Sequence, residues 1–350
     1  MSSIPKVTVC LPTYNRARHL ANCLLGILAQ TLRDFEVIVS DNCSTDVTRD
    51  VVQSFSDPRI RYVRNDSNIG VFRNMNQCLE LARGDHVCIL HDDDVYAPRF
   101  LERESVMLDR YPNAGFVHCA AYEIDVHSVR RRLVQAHQKD SLFNGKQEFL
   151  RYLGGHNVCC STVMVRRDLY RKTGGFDPSY ICSDFLMWLQ LALCADVAYV
   201  AEPLAAMRVH GEALSSSVEP ARWCEEYLAI MDQGVRLAEA TCPSLLRSKD
   251  RILRKAIRSQ GKRFFIAAIS AIAARDVGAA TGFIETLRHL ESRGLSPNYA
   301  KAVRAFRNPV GRAIFSVVRR LSRSRAAKSL PVESPWWGER SPACSNARPG

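Results

Sequence analysis

Several features that would narrow the function of this 350-residue sequence at once are missing. There is no Cys-x-x-Cys pair, and the only close cysteines, Cys159 and Cys160, have no histidine cluster at zinc spacing. Met1–Lys6 lacks the charged-then-apolar order of a secretory signal, and Val7–Leu11 is too short to serve as its apolar segment. The longest apolar stretch, Phe264–Ala274, is cut by Arg275 and Asp276, short of the roughly 20 residues a spanning helix needs. The 13 cysteines are therefore expected to be reduced thiols of a cytosolic protein; Cys10, Cys88 and Cys194 sit in apolar runs where a thiol acts as a small hydrophobe. No internal repeat suggests a solenoid.

A charge excess is present but localised. Of the net charge of +12, residues 301–350 supply nine units, with 11 Lys and Arg against two acids. The first 300 residues are thus close to balanced. With no recognisable nucleic-acid-binding module, no nucleic-acid partner is expected. The 47% hydrophobic and 24% charged residues are those of a globular chain with ample length for a buried core.

Along the first half, short β-rich runs alternate with amphipathic stretches. Strands are expected at Val7–Leu11, Phe35–Ser40, Arg59–Arg64 and His86–Leu90. Helices are expected over Arg16–Gln30, Ser44–Phe55 (with Ser44 or Thr45 as N-cap) and Val71–Ala82. That rhythm predicts βαβ units, a mainly parallel sheet and an α/β fold. Further β runs lie at Gly115–Ala121, Thr162–Val165 and Val197–Val200, and a helix at Asp184–Leu193 follows a turn at Gly174–Pro178. After about Ser217 the pattern is helical, over Arg222–Glu239, Leu245–Ala274 and Gly278–Leu290.

In such sheets ligands bind beyond the C-terminal ends of the strands. The segments there are Pro12-Thr13-Tyr14-Asn15, Asp41-Asn42 and His91-Asp92-Asp93-Asp94. Three adjacent carboxylates repel one another, and a divalent cation bridging them to a phosphate relieves the repulsion. A solvated acidic turn before Pro98 is the plainer alternative for the triplet. Likewise Asp41 is either a turn residue or an acceptor for a base or ribose, and Tyr14 either a lid on the core or a stacking platform.

Together these segments resemble the family-two glycosyltransferases of the GT-A type, over about Val7 to Ser215. Val7–Arg16 resembles the family's opening strand and nucleotide-contacting turn, and Phe35–Asp46 its second, where the family's aspartate reads the base. Asn68-Ile69-Gly70 with Asn76, then Ala82–Asp85, resembles the approach to the metal motif, and His91–Asp94 stands at the DxD-type position. Many relatives carry Asp where this chain has His91, which leaves open which of Asp92, Asp93 and Asp94 holds metal. The resemblance implies a GT-A, Rossmann-like fold and an inverting, metal-dependent hexosyl-type transfer from a nucleotide sugar, with Mn²⁺ or Mg²⁺ as cofactor. It implies donor contacts from Pro12, Thr13, Tyr14, Asn15, Arg16, Asp41, Asn76, Asp92, Asp93 and Arg208. Asp92 is assigned to the ribose and phosphate side, and Asp94 or Asp93, with His210, to the cation. Tyr14 and Asp41 favour a UDP-linked donor.

Gly174–Asp177 followed by Ser183–Leu189 resembles the segment bearing the catalytic base, which makes Asp184 that base; Asp177 is the runner-up. Asp184 as a helix N-cap is the structural alternative, shared with Ser183. Met207–Gly211 with Leu214-Ser215 resembles the closing strand and loop, and Trp188 is core or acceptor-pocket wall. The expected organisation is a transferase unit over 1–217 (donor and metal half 1–112, acceptor half 113–217), a helical region over 218–330 and a disordered tail over 331–350. Basic residues 307–329, with Ile314, Phe315, Val317, Val318 and Leu321 between them, read either as a segment lying on anionic lipid or as a solvated helix. The implied setting is surface-polysaccharide or lipid-linked oligosaccharide synthesis in the cytoplasm, at the inner face of the membrane, with a saccharide or lipid-linked acceptor. The rival reading is a nucleotide-sugar-binding or scaffold protein without turnover.

Overall fold

The computed structural model describes residues 4–155, 158–210, 218–247, 249–273 and 277–292. The basic segment 307–329, the tail 331–350 and Gly211, Leu214 and Ser215 lie outside the described residues. The first four strands are β1 (Val7–Thr13), β2 (Phe35–Asp41), β3 (Ile60–Arg64) and β4 (His86–Ile89). They pair in parallel in the order β3-β2-β1-β4, with α1 (Ala17–Leu28), α2 (Thr48–Gln53) and α3 (Val71–Leu81) between them in the chain.

Period-two alternation sends each strand's side chains to two cores. Val7, Val9 and Leu11 of β1 join Val37 and Val39 of β2 on the face covered by α1 and by α4 (Phe100–Arg110). Cys10 and Ile38 point the other way, toward Phe72, Met75 and Cys78 of α3. Burial on both faces is why β1 and β2 read as near-continuous apolar runs.

Beyond β4 the sheet mixes directions. β9 (Val163–Arg166) enters antiparallel between β4 and β6 (Ala114–Ile124), while β10 (Asp196–Arg208) runs parallel to β6. Three short strands complete it: β5 (Val95–Tyr96) and β8 (Ser141–Phe143) on β10, and β7 (Arg130–Val134) on β6, all antiparallel. The expected parallel pairing thus holds for the first four strands and for β6–β10.

The helix over 44–55 is shorter than expected. It begins at Thr48, because Asp46 rather than Ser44 or Thr45 accepts the Thr48 N–H, at 3.0 Å. Ser44 and Thr45 instead serve the β1 turn: the Asn15 N–H donates to Ser44 Oγ and the Thr45 N–H to Asn15 Oδ1.

α5 (Gly145–Leu153), α6 (Arg167–Thr173) and α7 (Ser183–Cys194) cover the second face. Gly174 and Gly175 follow α6 with φ of +80° and +81°, a left-handed pair open to glycine at little cost. A Cβ on Gly175 would lie 2.6 Å from Asn76 Oδ1. α8 (Pro220–Thr241), α9 (Lys249–Ala273) and α10 (Val277–Ser292) follow. Ile230, Met231 and Val235 of α8 are buried in the same core as α5 and α7, so one hydrophobic core crosses position 217. Trp188 is fully buried and stacks on Phe116, with centroids 6.2 Å apart: it is core and not pocket wall.

Candidate active site

The ends of β1 and β4, the start of α7 and the end of β10 converge on one cleft of about 660 Å³. Pro12, Thr13, Tyr14 and Arg16 line it from β1, Asp92, Asp93 and Asp94 from β4, and Asp184 and Arg208 from the far side. Tyr14 is 43% exposed there, an open aromatic face rather than a lid on the core.

Each acid of the triplet has a different environment. The Thr13 hydroxyl donates to Asp92 Oδ2 at 2.6 Å. Burial outweighs that bond, and with the charge of Asp93 it pushes the Asp92 carboxyl up to about 7. Asp94 accepts from Ser161 Oγ (2.7 Å) and from the Arg208 backbone N–H (2.8 Å). Burial still raises it to about 6. For Asp93 burial is overcome by His91, His210 and Arg16, which together hold its carboxyl below the usual aspartate value. His210 Nε2 lies 2.7 Å and Arg16 Nη1 3.6 Å from Asp93 Oδ2.

One ligand atom each from His91, Asp93 and Asp94 falls within 4.8 Å of the others. Two carboxylates and an imidazole at that spacing fit a divalent cation, whose charge would offset the cost of ionising the buried acids. His210, also expected at the cation, lies against Asp93, with Nε2 2.7 Å from Asp93 Oδ2.

Other expected donor contacts are engaged elsewhere. Asp41 is fully buried; its Oδ1 accepts the Ser44 N–H and its Oδ2 the Tyr62 hydroxyl, so the neighbouring Asn42 lines the cleft instead. Asn15, in the left-handed region at φ 53°, braces the turn through Ser44 and Thr45. Asn76 faces the 174–177 turn: its Nδ2 donates to Phe176 O at 2.7 Å and its Oδ1 accepts the Phe176 N–H at 2.8 Å. Arg208 lines the cleft, but its guanidinium is held by backbone oxygens of Asp93 and Asp125 and by Ser128 Oγ.

Asp184 lies in the first turn of α7, and Cys182 occupies the N-cap position without a side-chain cap bond. The Phe185 N–H donates to Asp184 Oδ1 at 2.9 Å, and burial raises the carboxyl above its ordinary value. Asp177, the runner-up base, is spent on the turn, accepting from Ser179 N–H and Oγ.

The family model for glycosyl transferase family 2 matches residues 8–174. The protein MT1568 of Mycobacterium tuberculosis is 31% identical over 221 residues, covering 58% of this chain and 67% of that protein. The putative teichuronic acid biosynthesis glycosyltransferase TuaG of Bacillus subtilis is 30% identical, covering 61% of this chain and 82% of that one. The chain belongs to glycosyltransferase family 2. It spans 62% of the length of another relative, the putative glycosyltransferase EpsE of Bacillus subtilis, to which it is 28% identical over half of its own length.

Solved structures share the fold of this family-2 glycosyltransferase. The GT-A-type TarS of S. aureus (residues 1–349, with UDP-GlcNAc) superposes with a TM-score of 0.62 at 18% identity, covering 90% of this chain and 92% of that one. The mannosyltransferase PcManGT of Pyrobaculum calidifontis, in complex with GDP-Man and Mn²⁺, gives 0.50 at 20% identity, covering 87% and 88%.

Three cleft features were not identified from sequence. Ser161 donates to Asp94 from a 3₁₀ turn with no local signal; only the fold brings it 67 positions back along the chain. Trp223 reaches the cleft from α8, where helical periodicity alone reads it as one more apolar position. His91 was legible as the start of the acidic motif, but not as a partner of Asp93 and Asp94.

Proposed function

We propose that the chain is an inverting glycosyltransferase that moves a sugar from a nucleoside-diphospho-sugar to a hydroxyl acceptor. The observation that carries this reading is a single cleft holding Tyr14, the Asp92–Asp94 triplet and Asp184. Tyr14 offers a stacking face to the base, and Thr13 fixes Asp92 toward the ribose side. Asp93 and Asp94, with His210 bracing Asp93, would hold Mn²⁺ or Mg²⁺. A bound divalent cation supplies charge that stabilises the leaving diphosphate. Asp184 accepts the proton of the acceptor hydroxyl as that oxygen attacks the anomeric carbon opposite the departing nucleotide. Its raised affinity for protons suits a general base, since a base closer to neutrality accepts a proton more readily.

Residues 1–217 are read as the transferase unit, with the helices from 218 onward completing the acceptor side through Trp223. The apolar part of the lining (Val71, Met75, Ile181, Met207, Val209 and Trp223) supports a lipid-linked or partly apolar acceptor. The UDP-GlcNAc bound by TarS supports a UDP-linked donor, and the likeness to TuaG, a putative teichuronic acid biosynthesis glycosyltransferase, supports a role in envelope polysaccharide synthesis. No described helix is long and apolar enough to cross a membrane. The likeness to TuaG supports work in the cytoplasm, at the inner face of the membrane.

The test is a panel of UDP-, GDP- and dTDP-sugars with Mn²⁺, with Mg²⁺ or with chelator, scored for release of nucleoside diphosphate. Metal-dependent release from one donor class, stimulated by a saccharide acceptor, is expected. Donor binding with no release under any condition would favour the non-catalytic binder instead.

A further inference from the structure

We propose that His91 is itself a ligand of the divalent cation, and that its imidazole makes this site prefer Mn²⁺ over Mg²⁺. The inference rests on the metal-assisted reading above.

The backbone at His91 is fixed before any ion arrives. Its N–H donates to the hydroxyl of buried Tyr96 at 2.9 Å, and its carbonyl accepts from the Cys23 thiol at 3.4 Å. The half-exposed ring lies on the cleft wall, where its Nδ1 is 3.6 Å from Asp94 Oδ2. That distance is too long for a hydrogen bond. It leaves both atoms close enough to reach one ion set between them. Asp93 completes the group within 4.8 Å.

The two neighbouring donors fall outside that trio. His210 Nε2 is hydrogen-bonded to Asp93 Oδ2 at 2.7 Å, the position of a residue that orients a ligand. Asp92 is held by Thr13.

Replacing an oxygen donor by an imidazole nitrogen changes which ion the site prefers. Mg²⁺ is small and hard, and takes oxygen ligands while keeping several waters. Mn²⁺ also takes oxygen ligands, but as a more polarisable transition ion it accepts one imidazole nitrogen among them more readily than Mg²⁺ does.

The experiment is electron paramagnetic resonance of Mn²⁺ bound to the full chain with UDP. The protein is prepared once with natural-abundance and once with ¹⁵N-labelled histidine. Wild type is expected to show histidine nitrogen coupling in the spin-echo modulation, changed by the label. His91→Asp should bind Mn²⁺ without that coupling, and His210→Asn should keep it. In competition, His91→Asp should shift the Mn²⁺ to Mg²⁺ affinity ratio toward Mg²⁺. Bound Mn²⁺ without histidine coupling in wild type would overturn the proposal and leave the transferase reading standing, as would coupling that persists in His91→Asp. No Mn²⁺ binding at all by wild type would overturn this proposal and the metal-assisted reading together. If His91→Asp fails to fold, the labelled wild type and His210→Asn still decide the question.

Discussion

The Thr13 hydroxyl donates to Asp92 Oδ2 at 2.6 Å, tying the end of the first strand to the acidic triplet 79 positions later. Both side chains are largely buried where they meet the cleft. Thr13→Val is expected to lower stability by about 1–3 kcal/mol and to weaken donor binding by roughly tenfold. Thr13→Ser should restore both. Thermal melts and donor titrations of the two variants check this.

Asn76 secures the turn ahead of the proposed base by two hydrogen bonds to the Phe176 backbone. Asn76→Ala leaves both backbone groups without that partner and is expected to cost about 1–3 kcal/mol. Transfer should fall while donor affinity is kept, because the turn leads to α7 and Asp184. A titration showing donor affinity lost at unchanged stability would assign Asn76 to the donor directly.

Trp223 is the contribution of α8 to the cleft wall. Trp223→Ala is expected to raise the acceptor KM by roughly tenfold, the scale of a lost aromatic contact, and to leave the donor KM unchanged. Steady-state kinetics with each substrate varied in turn separates the two.

Glu104 of α4 is fully buried, and the Cys119 thiol is the polar group set against its carboxyl. Burial holds the carboxyl well above its ordinary value, so the folded chain keeps a proton that the unfolded chain releases. Its contribution to stability is therefore present below the unfolded glutamate pKa and is lost as pH rises toward the folded one. Glu104→Gln should match wild type near pH 4. As pH rises above the unfolded glutamate value it should become increasingly more stable than wild type. Denaturant melts across that range measure the divergence.

The parallel half of the fold was legible because β1 and β2 bury both faces and their apolar runs end sharply at polar turns. The edge strands β5, β7 and β8 were not, being two to five residues long and partly exposed. β9 was legible as a strand, but its antiparallel place between β4 and β6 is set by long-range pairing that local pattern does not encode. At the site, residue types carried the acidic triplet, Tyr14 and Asp184 into one cleft. They could not separate residues that line the cleft from those that brace it. Asp41, Asn15 and Asn76 bear side chains suited to a ligand, yet each is spent on a turn fixed by the tertiary structure.

The most direct test of the account compares wild type with Asp184→Asn in two readouts, transfer to acceptor and donor affinity by calorimetry. Transfer is predicted to fall by about 10²–10⁴-fold, the scale of a lost general base, with donor affinity unchanged. Transfer at the wild-type rate, or loss of donor binding in step with transfer, would contradict the assignment of Asp184 as the base.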